Sequence, residues 1–483
     1  MGFEPRAETT SLTRRFLLRA GVGAAATLAC ARVGRSADAK PRSDLPPDAA
    51  WGALRGRLRG RLLTVGDAEY ASAKRVFDPD FDARMPAAVL EAATVDDVRS
   101  GLVFAREHGL AVAARAGGHS YVGASTTSDA LVVDVRRLSE VAVDGDLVRI
   151  GAGATLFPVL RALDRIGRAL PLGSCPTVGV AGLALGGGIG VDSRAHGMTC
   201  DRLVEADLVL PNGTVRTASE TRAADLFWAL RGAGAVGVVT SMAFRTHAAT
   251  ARDAVTLNFP GSARSITGWA RWMPTADRSS WANLTVSAEG GETTCRVRLF
   301  CAKGAGETAA AELTAAVGLS ASAKEVRTLS NLDTALVLAG GSDTTPRSTK
   351  VAGSDVVTDI AAVADTVLAH IAAGSRSGIP GYVILDPLDG AVRDLAPEAT
   401  AFPWRRHAAT LQWLVDSPTD PAAARRWVTD AHRALGAASA GAYANYVEPD
   451  TDPGRYFAGN LRRLRIIRRV VDPDNRLRTG LAL

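Results

Sequence analysis

The run Gly117-Gly118-His119-Ser120-Tyr121 sets a histidine directly behind two glycines, and it opens on Arg115 at the end of the apolar stretch Leu110 to Ala114. Residues without side chains let consecutive backbone N–H groups turn inward as an anion nest suited to a pyrophosphate, and the imidazole then projects where a ligand would lie. A second, longer cradle runs from Gly173 to Gly190 and holds Cys175-Pro176-Thr177-Val178-Gly179, Gly182, Gly187 and Gly188. So many glycines cost backbone entropy on folding, which a chain tolerates where backbone must approach something closely. Neither cradle is followed by a P-loop lysine, so nucleoside triphosphate hydrolysis is not indicated.

Two other patterns fail on context. Gly232-Ala233-Gly234-Ala235-Val236-Gly237 satisfies the dinucleotide expression, but it follows a helix-like segment, Ala223 to Leu230, and opens a strand, beginning at Val238. A Rossmann fingerprint needs the reverse order. Cys295 and Cys301 lie on one side of an alternating strand, about 20 Å apart, too far to bond. No Cys-x-x-Cys or His-Glu-x-x-His spacing occurs, so no metal site is expected.

The elements that must position these groups are readable. Ala88 to Leu90 reads as a strand, Val95 to His108 as an amphipathic helix closed by Gly109, and Leu131 to Val135 as a further strand. Thr94 is a candidate N-cap ahead of Asp96 and Asp97, whose charges suit a helix N-terminus. From about Ala248 the texture changes to strands alternating with alanine-rich helices, without glycine clusters, and from Tyr443 aromatic and asparagine residues return. The expected order is a glycine-rich lobe over 70–247, a separate α+β lobe over 248–439, and a segment over 440–483 that returns to the first.

The chain has 483 residues, 47% of them hydrophobic and 22% charged, which excludes disorder as its main state. Lys and Arg number 56 against 50 Asp and Glu, a net charge of +6, close to balance. The one dense basic cluster, Arg462, Arg463, Arg465, Arg468 and Arg469, reads as a solvated helix rather than a nucleic-acid footprint. At the start, Thr13-Arg14-Arg15-Phe16-Leu17-Leu18 and the apolar run Ala20 to Ala29 form a twin-arginine signal pattern over 1–39, with small residues at Ala37 and Ala39. That run is shorter than the ~20 residues a bilayer span needs. Export to the periplasm or beyond is expected, with no integral membrane segment in the mature chain.

Gly117 to Tyr121, the Cys175 to Gly190 stretch, Arg194-x-His196-Gly197-Met198-Thr199-Cys200-Asp201, Asp225 to Gly232, and Tyr443-x-Asn445-Tyr446 with Asp472-Pro473-Asp474-Asn475 occur in one order. Together they resemble the berberine bridge enzyme-like flavoproteins, of the vanillyl-alcohol oxidase or PCMH type of FAD-binding fold, over nearly the whole mature chain. The resemblance implies an α+β, two-lobed protein with an inserted α+β substrate domain. It also implies FAD bonded covalently through His119, with Cys175 either forming a second bond or serving as a plain buried thiol. Implied cofactor contacts are Arg115, Gly117, Gly118, Ser120, Tyr121, Pro176, Thr177, Val178, Gly179, Gly182, Gly187, Gly188, Val238, Asn445 and Tyr446.

The same resemblance implies hydride transfer from a CH–OH substrate, with Tyr443 as the base and Arg405 and Gln412 on the substrate side. A phenol of reference pKa about 10 needs nearby donors or positive charge for that task. Valine at 178 matches members of the family that admit oxygen, which implies an oxidase using O2 and releasing hydrogen peroxide. A dehydrogenase with another acceptor and a secreted flavin-carrying binding protein without turnover stay open.

Overall fold

Alternating strands and helices of the first lobe follow from their caps and apolar spacing. The computed structural model describes residues 45–483; the twin-arginine pattern lies outside the described residues. The helix Val95–Glu107 starts at a capping box, in which Thr94 Oγ1 accepts from the Asp97 N–H at 3.2 Å and the Asp97 carboxylate accepts from the Thr94 N–H at 3.1 Å. Asp97 also accepts from the backbone N–H groups of Arg59, Gly60 and Ala93. This buried carboxylate therefore fastens the entry of the strand Arg61–Thr64 to the helix.

That strand corrects the first lobe's start. The lobe begins well before residue 70, because Arg61–Thr64 pairs antiparallel with Ala88–Glu91, and the helix Asp48–Arg55 sends Trp51 and Leu54 into the core shared by Leu90 and Leu131. A two-turn helix and a four-residue strand carry too few periods to stand out in sequence. The first sheet has five strands in the order Arg61–Thr64, Ala88–Glu91, Leu131–Asp134, Val112–Arg115 and Leu477–Arg478. The last pairs parallel with Val112–Arg115, so the C-terminus closes the sheet that carries the His119 loop.

A second sheet of five antiparallel strands, centred on Val238–Arg245 between Leu147–Gly151 and Leu203–Val209, packs into the same core. Arg252–Pro260 then begins an eight-stranded sheet. Leu284, Val286, Val297, Leu299, Val383, Leu385, Leu411 and Trp413 share a core with the helices Ala263–Trp272, Gly306–Val317, Ala364–Arg376 and Pro421–Leu435. Because strand side chains alternate, Asn283, Arg298, Ile384, Asp386 and Gln412 point the other way.

One further expectation changes. In the basic helix Leu461–Val471, Arg468 is buried, pairs with Asp472 at 2.9 Å and donates to the carbonyls of Ala235 and Leu477; only its neighbours are solvated. Cys295 and Cys301 are buried in the second core, and burial pushes their thiols up to about 12 and about 11. The Gly232–Gly237 segment joins the helix Ala224–Leu230 to the strand Val238–Arg245, and a Cβ on Gly232 would strike the Phe402 backbone nitrogen at 2.3 Å. It packs against the second lobe at Phe402. Among the described residues, no helix is long and apolar enough to cross a membrane, and no cluster of His, Cys, Asp or Glu could hold a metal.

Candidate active site

Both glycine cradles meet one cavity. The loop after Val112–Arg115 delivers His119 and Tyr121, and the segment before the helix Val180–Gly186 delivers Cys175, Thr177 and Val178. The two loops touch backbone to backbone: a Cβ on Gly117 would lie 2.3 Å from the Gly179 nitrogen, and one on Gly179 would lie 2.5 Å from the Gly117 nitrogen. Glycine is required there by the chain's own crossing, whatever else it meets. At Gly182, by contrast, a Cβ would meet only open space.

Thr177 Oγ1 lies 3.1 Å from His119 Nε2 and 3.7 Å from Cys175 Sγ, so imidazole and thiol converge on one hydroxyl. Phe77 stacks on the imidazole at 4.0 Å between centroids. Burial lowers the His119 pKa to about 4, so the ring is a neutral nucleophile at ordinary pH.

The segment after the edge strand Ser439–Gly441 brings Tyr443, Asn445 and Tyr446 from the other side. The Tyr443 hydroxyl oxygen accepts from the Gly188 N–H at 2.7 Å and from Asn445 Nδ2 at 2.9 Å. Gly186 and Gly187 make room for this pair. A Cβ on Gly186 would lie 2.0 Å from Asn445 Oδ1, and one on Gly187 would lie 3.1 Å from the Tyr443 hydroxyl, at a φ of +131 that disfavours any side chain. Burial pushes the phenol well above its ordinary value, and the two donors offset only part of that rise. Tyr446 packs edge-on to Tyr443 at 5.0 Å.

The Tyr443 N–H donates to Ser354 Oγ at 3.0 Å, next to the buried Asp355. Asp355 meets His432 Nδ1 at 2.7 Å and Arg455 Nη2 at 2.7 Å, and accepts from Trp413 Nε1 at 2.8 Å, while His432 Nε2 reaches Glu448 at 2.7 Å. Burial opposes a charge on His432, but the two carboxylates outweigh it and raise its pKa to about 9.

Between the lobes Tyr121, Cys175, Tyr443, Asn445 and Tyr446 line a cavity of about 250 Å³, with Leu156, Leu172, Val178, Leu183 and Ile189 on one side and the sheet face on the other; His119 and Thr177 stand next to Cys175 but are not on the cavity wall. Gln412 lines it and donates to the Tyr121 hydroxyl at 2.9 Å. Asp386, Asn283, Arg298 and Lys350 line it too, and the sequence reading missed them. Their signal was a polar residue at an inward position of an apolar strand, as in Trp281-Ala282-Asn283-Leu284 and Val383-Ile384-Leu385-Asp386. Burial raises the Asp386 carboxyl to about 6, with Arg298 and Asn283 opposing.

Several expected site residues stand elsewhere. Arg405 is fully buried in a bidentate pair with Asp201, at 2.6 Å on both branches, and donates to Thr400 Oγ1; it does not line the cavity. With Arg194–Asp389 at 2.7 Å, it ties the first lobe to the second. Arg115 is spent on Asp134 at 2.7 Å and on the Ala73 carbonyl. Ser120 Oγ accepts from the N–H groups of Val122 and Ala124 and so shapes its own loop. Val238 is buried opposite Val209 in the second sheet. Local sequence cannot separate such paired, sealed groups from ligand-facing ones, because their partners come from distant strands.

The residues present fit a flavin: an uncharged imidazole beside a thiol, apolar walls, and hydrogen-bonding tips at one end. The comparisons agree. Residues 86–219 match the family described as FAD binding domain, and residues 442–481 match berberine and berberine like. A xylooligosaccharide oxidase of Thermothelomyces thermophilus is 30% identical over 425 residues, covering 80% of this chain and 85% of its own. YgaK, an uncharacterized FAD-linked oxidoreductase of Bacillus subtilis, is 28% identical over 438 residues, covering 87% and 95%. The solved xylooligosaccharide oxidase from Myceliophthora thermophila, in complex with xylobiose, superposes with a TM-score of 0.80 at 27% identity over 90% of this chain and all (100%) of that one. Physcomitrella patens BBE-like 1 has the same fold, with a TM-score of 0.81 at 24% identity over 89% of this chain and 99% of that one. With an FAD-binding first lobe, a berberine-like C-terminal segment and a matching two-lobed α+β fold, the chain belongs to the berberine bridge enzyme-like family of FAD-linked oxidases.

Proposed function

We propose that this FAD-dependent oxidoreductase oxidises a CH–OH group of a saccharide, with O2 as the final electron acceptor. The observation that carries the reading is the Tyr443 hydroxyl oxygen, held by the Gly188 N–H and Asn445 Nδ2 at the cavity wall beside Asp386. The names of its relatives, which include chitooligosaccharide and glucooligosaccharide oxidases alongside the xylooligosaccharide enzyme, support the substrate class.

Bound FAD supplies the hydride acceptor and, once reduced, the electrons that oxygen takes. Tyr443 Oη, in its phenolate form, receives the substrate hydroxyl proton and becomes the neutral phenol. The two N–H donors offset part of the cost that burial places on its anionic form and hold the oxygen at the wall. Asp386, ionised above about pH 6, adds an acceptor at the same end of the cavity. Apolar side chains at Leu172, Val178 and Leu183 exclude water from the opposite wall. His119 is the covalent attachment point in this reading, and Cys175, beside the same Thr177 hydroxyl, offers a second bond.

Anaerobic mixing of the loaded protein with xylobiose, cellobiose or chitobiose tests the reaction: the yellow absorbance fades, and admitting air restores it with release of hydrogen peroxide. Unchanged absorbance with every saccharide overturns the reading. Colour that survives acid precipitation, with added mass on peptides containing His119 or Cys175, tests the linkage. Export by the twin-arginine route belongs to the same reading; a folded reporter fused behind residues 1–39 that stays inside the cell would remove it.

A further inference from the structure

The arginines divide sharply by what they hold. Five are buried, Arg115, Arg194, Arg252, Arg405 and Arg468, and each is paired with a carboxylate. Arg298 is half-buried on the cavity wall and, among the described residues, forms neither a hydrogen bond nor an ion pair. A guanidinium is weakly hydrated and carries five donors in a planar fork, so withdrawing it from water without a partner is unfavourable. Asp386 lies near enough to act on it electrostatically but outside ion-pair distance.

A second unpaired group stands beside it. Asn283 is opposite Arg298 across the two strands, is 5% exposed, and its Oδ1 has no hydrogen-bond partner, although its side chain does bond Asp386. One patch of the cavity wall therefore offers an unused cationic fork and an unused buried acceptor. A neutral hydroxyl satisfies the acceptor but leaves the cation uncompensated. A carboxylate with a hydroxyl on the neighbouring carbon satisfies both.

We infer that Arg298 and Asn283 form a subsite for a hydroxycarboxylate, so that the preferred substrates are acidic saccharides carrying a uronate residue. The fork binds the carboxylate, Asn283 Oδ1 accepts from the adjacent hydroxyl, and the sugar carbon to be oxidised lies toward Asp386 and Tyr443. This deepens the saccharide-oxidase reading and rests on it for the role of the cavity.

Calorimetric titration of the FAD-loaded protein with digalacturonate and with neutral galactobiose separates the two ideas. The acid is expected to bind at least about tenfold tighter than the neutral sugar, with an affinity that falls as salt is added. Arg298→Gln should reduce that preference ratio about 10- to 100-fold, and Arg298→Lys should retain part of it, since Lys keeps the charge but not the fork. Equal affinities in the unmodified protein, or a ratio that Arg298→Gln leaves unmoved, overturns the subsite. Should Arg298→Gln fail to fold, the salt dependence of the unmodified protein and the Arg298→Lys ratio decide. Flavin bleaching is read separately: tight, salt-sensitive digalacturonate binding without bleaching leaves the subsite standing and removes the oxidase reading. Bleaching by galactobiose with no acid preference does the opposite.

Discussion

The polar cluster around Asp355 and the polar wall around Asp386 lie on two strands of one sheet that flank Ala409–Asp416, yet they are built to opposite rules. Around Asp355 every charge is answered: His432, Arg455, Trp413 and Glu448 close a network in which the carboxylate meets two cations and an indole N–H. Around Asp386 the carboxyl is pushed toward neutrality, and among the described residues Asn283 Oδ1 is unpaired and Arg298 forms no ion pair. Saturated buried charges fix a shape, whereas unsaturated ones leave interaction energy for a ligand. The first cluster sets where Tyr443 stands, through Ser354, and the second sets what Tyr443 meets.

The contrast can be broken first at Tyr443 itself. Tyr443→Phe should lower the rate of anaerobic flavin reduction about 10²- to 10⁴-fold, the usual size of a lost general base, while the flavin stays bound. A loss smaller than tenfold would move the proton acceptor elsewhere. Next comes the sealed pair between the lobes. Asp201→Asn strands the Arg405 guanidinium in a fully buried position, which should cost about 3–5 kcal/mol and appear as a large fall in the denaturant midpoint.

The Asp355 network predicts a pH dependence of stability. The folded pKa of His432 is raised from 6.5 to about 9, so its contribution is fully present below 6.5 and is lost as pH rises through about 9. Unfolding free energy should therefore fall by up to about 3 kcal/mol across that window. His432→Gln should flatten the slope, and an unchanged slope in that variant would show that His432 is not the group responsible. At the cavity wall, flavin reduction should slow below about pH 6 as Asp386 gains a proton, and Asp386→Asn should abolish that acid limb. The smallest effect is expected at Thr177→Val, which removes one hydrogen bond to His119 and should cost about 1 kcal/mol of stability.

The parts of this arrangement that sequence made legible were local. The Thr94 cap, the helix behind it and the two glycine cradles announce themselves within a few residues of one another, and the Tyr443 segment carries its own motif. What stayed hidden depends on partners far along the chain. Arg405 read as a ligand-facing residue because nothing nearby reveals Asp201, its partner 204 positions away. The glycines read as ligand-facing, whereas Gly117 and Gly179 are glycine because two stretches of backbone cross there. Asn283, Arg298 and Asp386 looked like ordinary strand residues until three strands brought them to one wall.

The short strand Leu477–Arg478, hydrogen-bonded beside Val112–Arg115, has a consequence for how the molecule is made. The edge beside the strand that carries the His119 loop is supplied by residues made only after the whole second lobe and after the phenol that lines the pocket. A nascent chain must have made Leu477–Arg478 before this half of the protein can close, so truncation ahead of Leu477 should yield colourless polypeptide rather than a weakened enzyme.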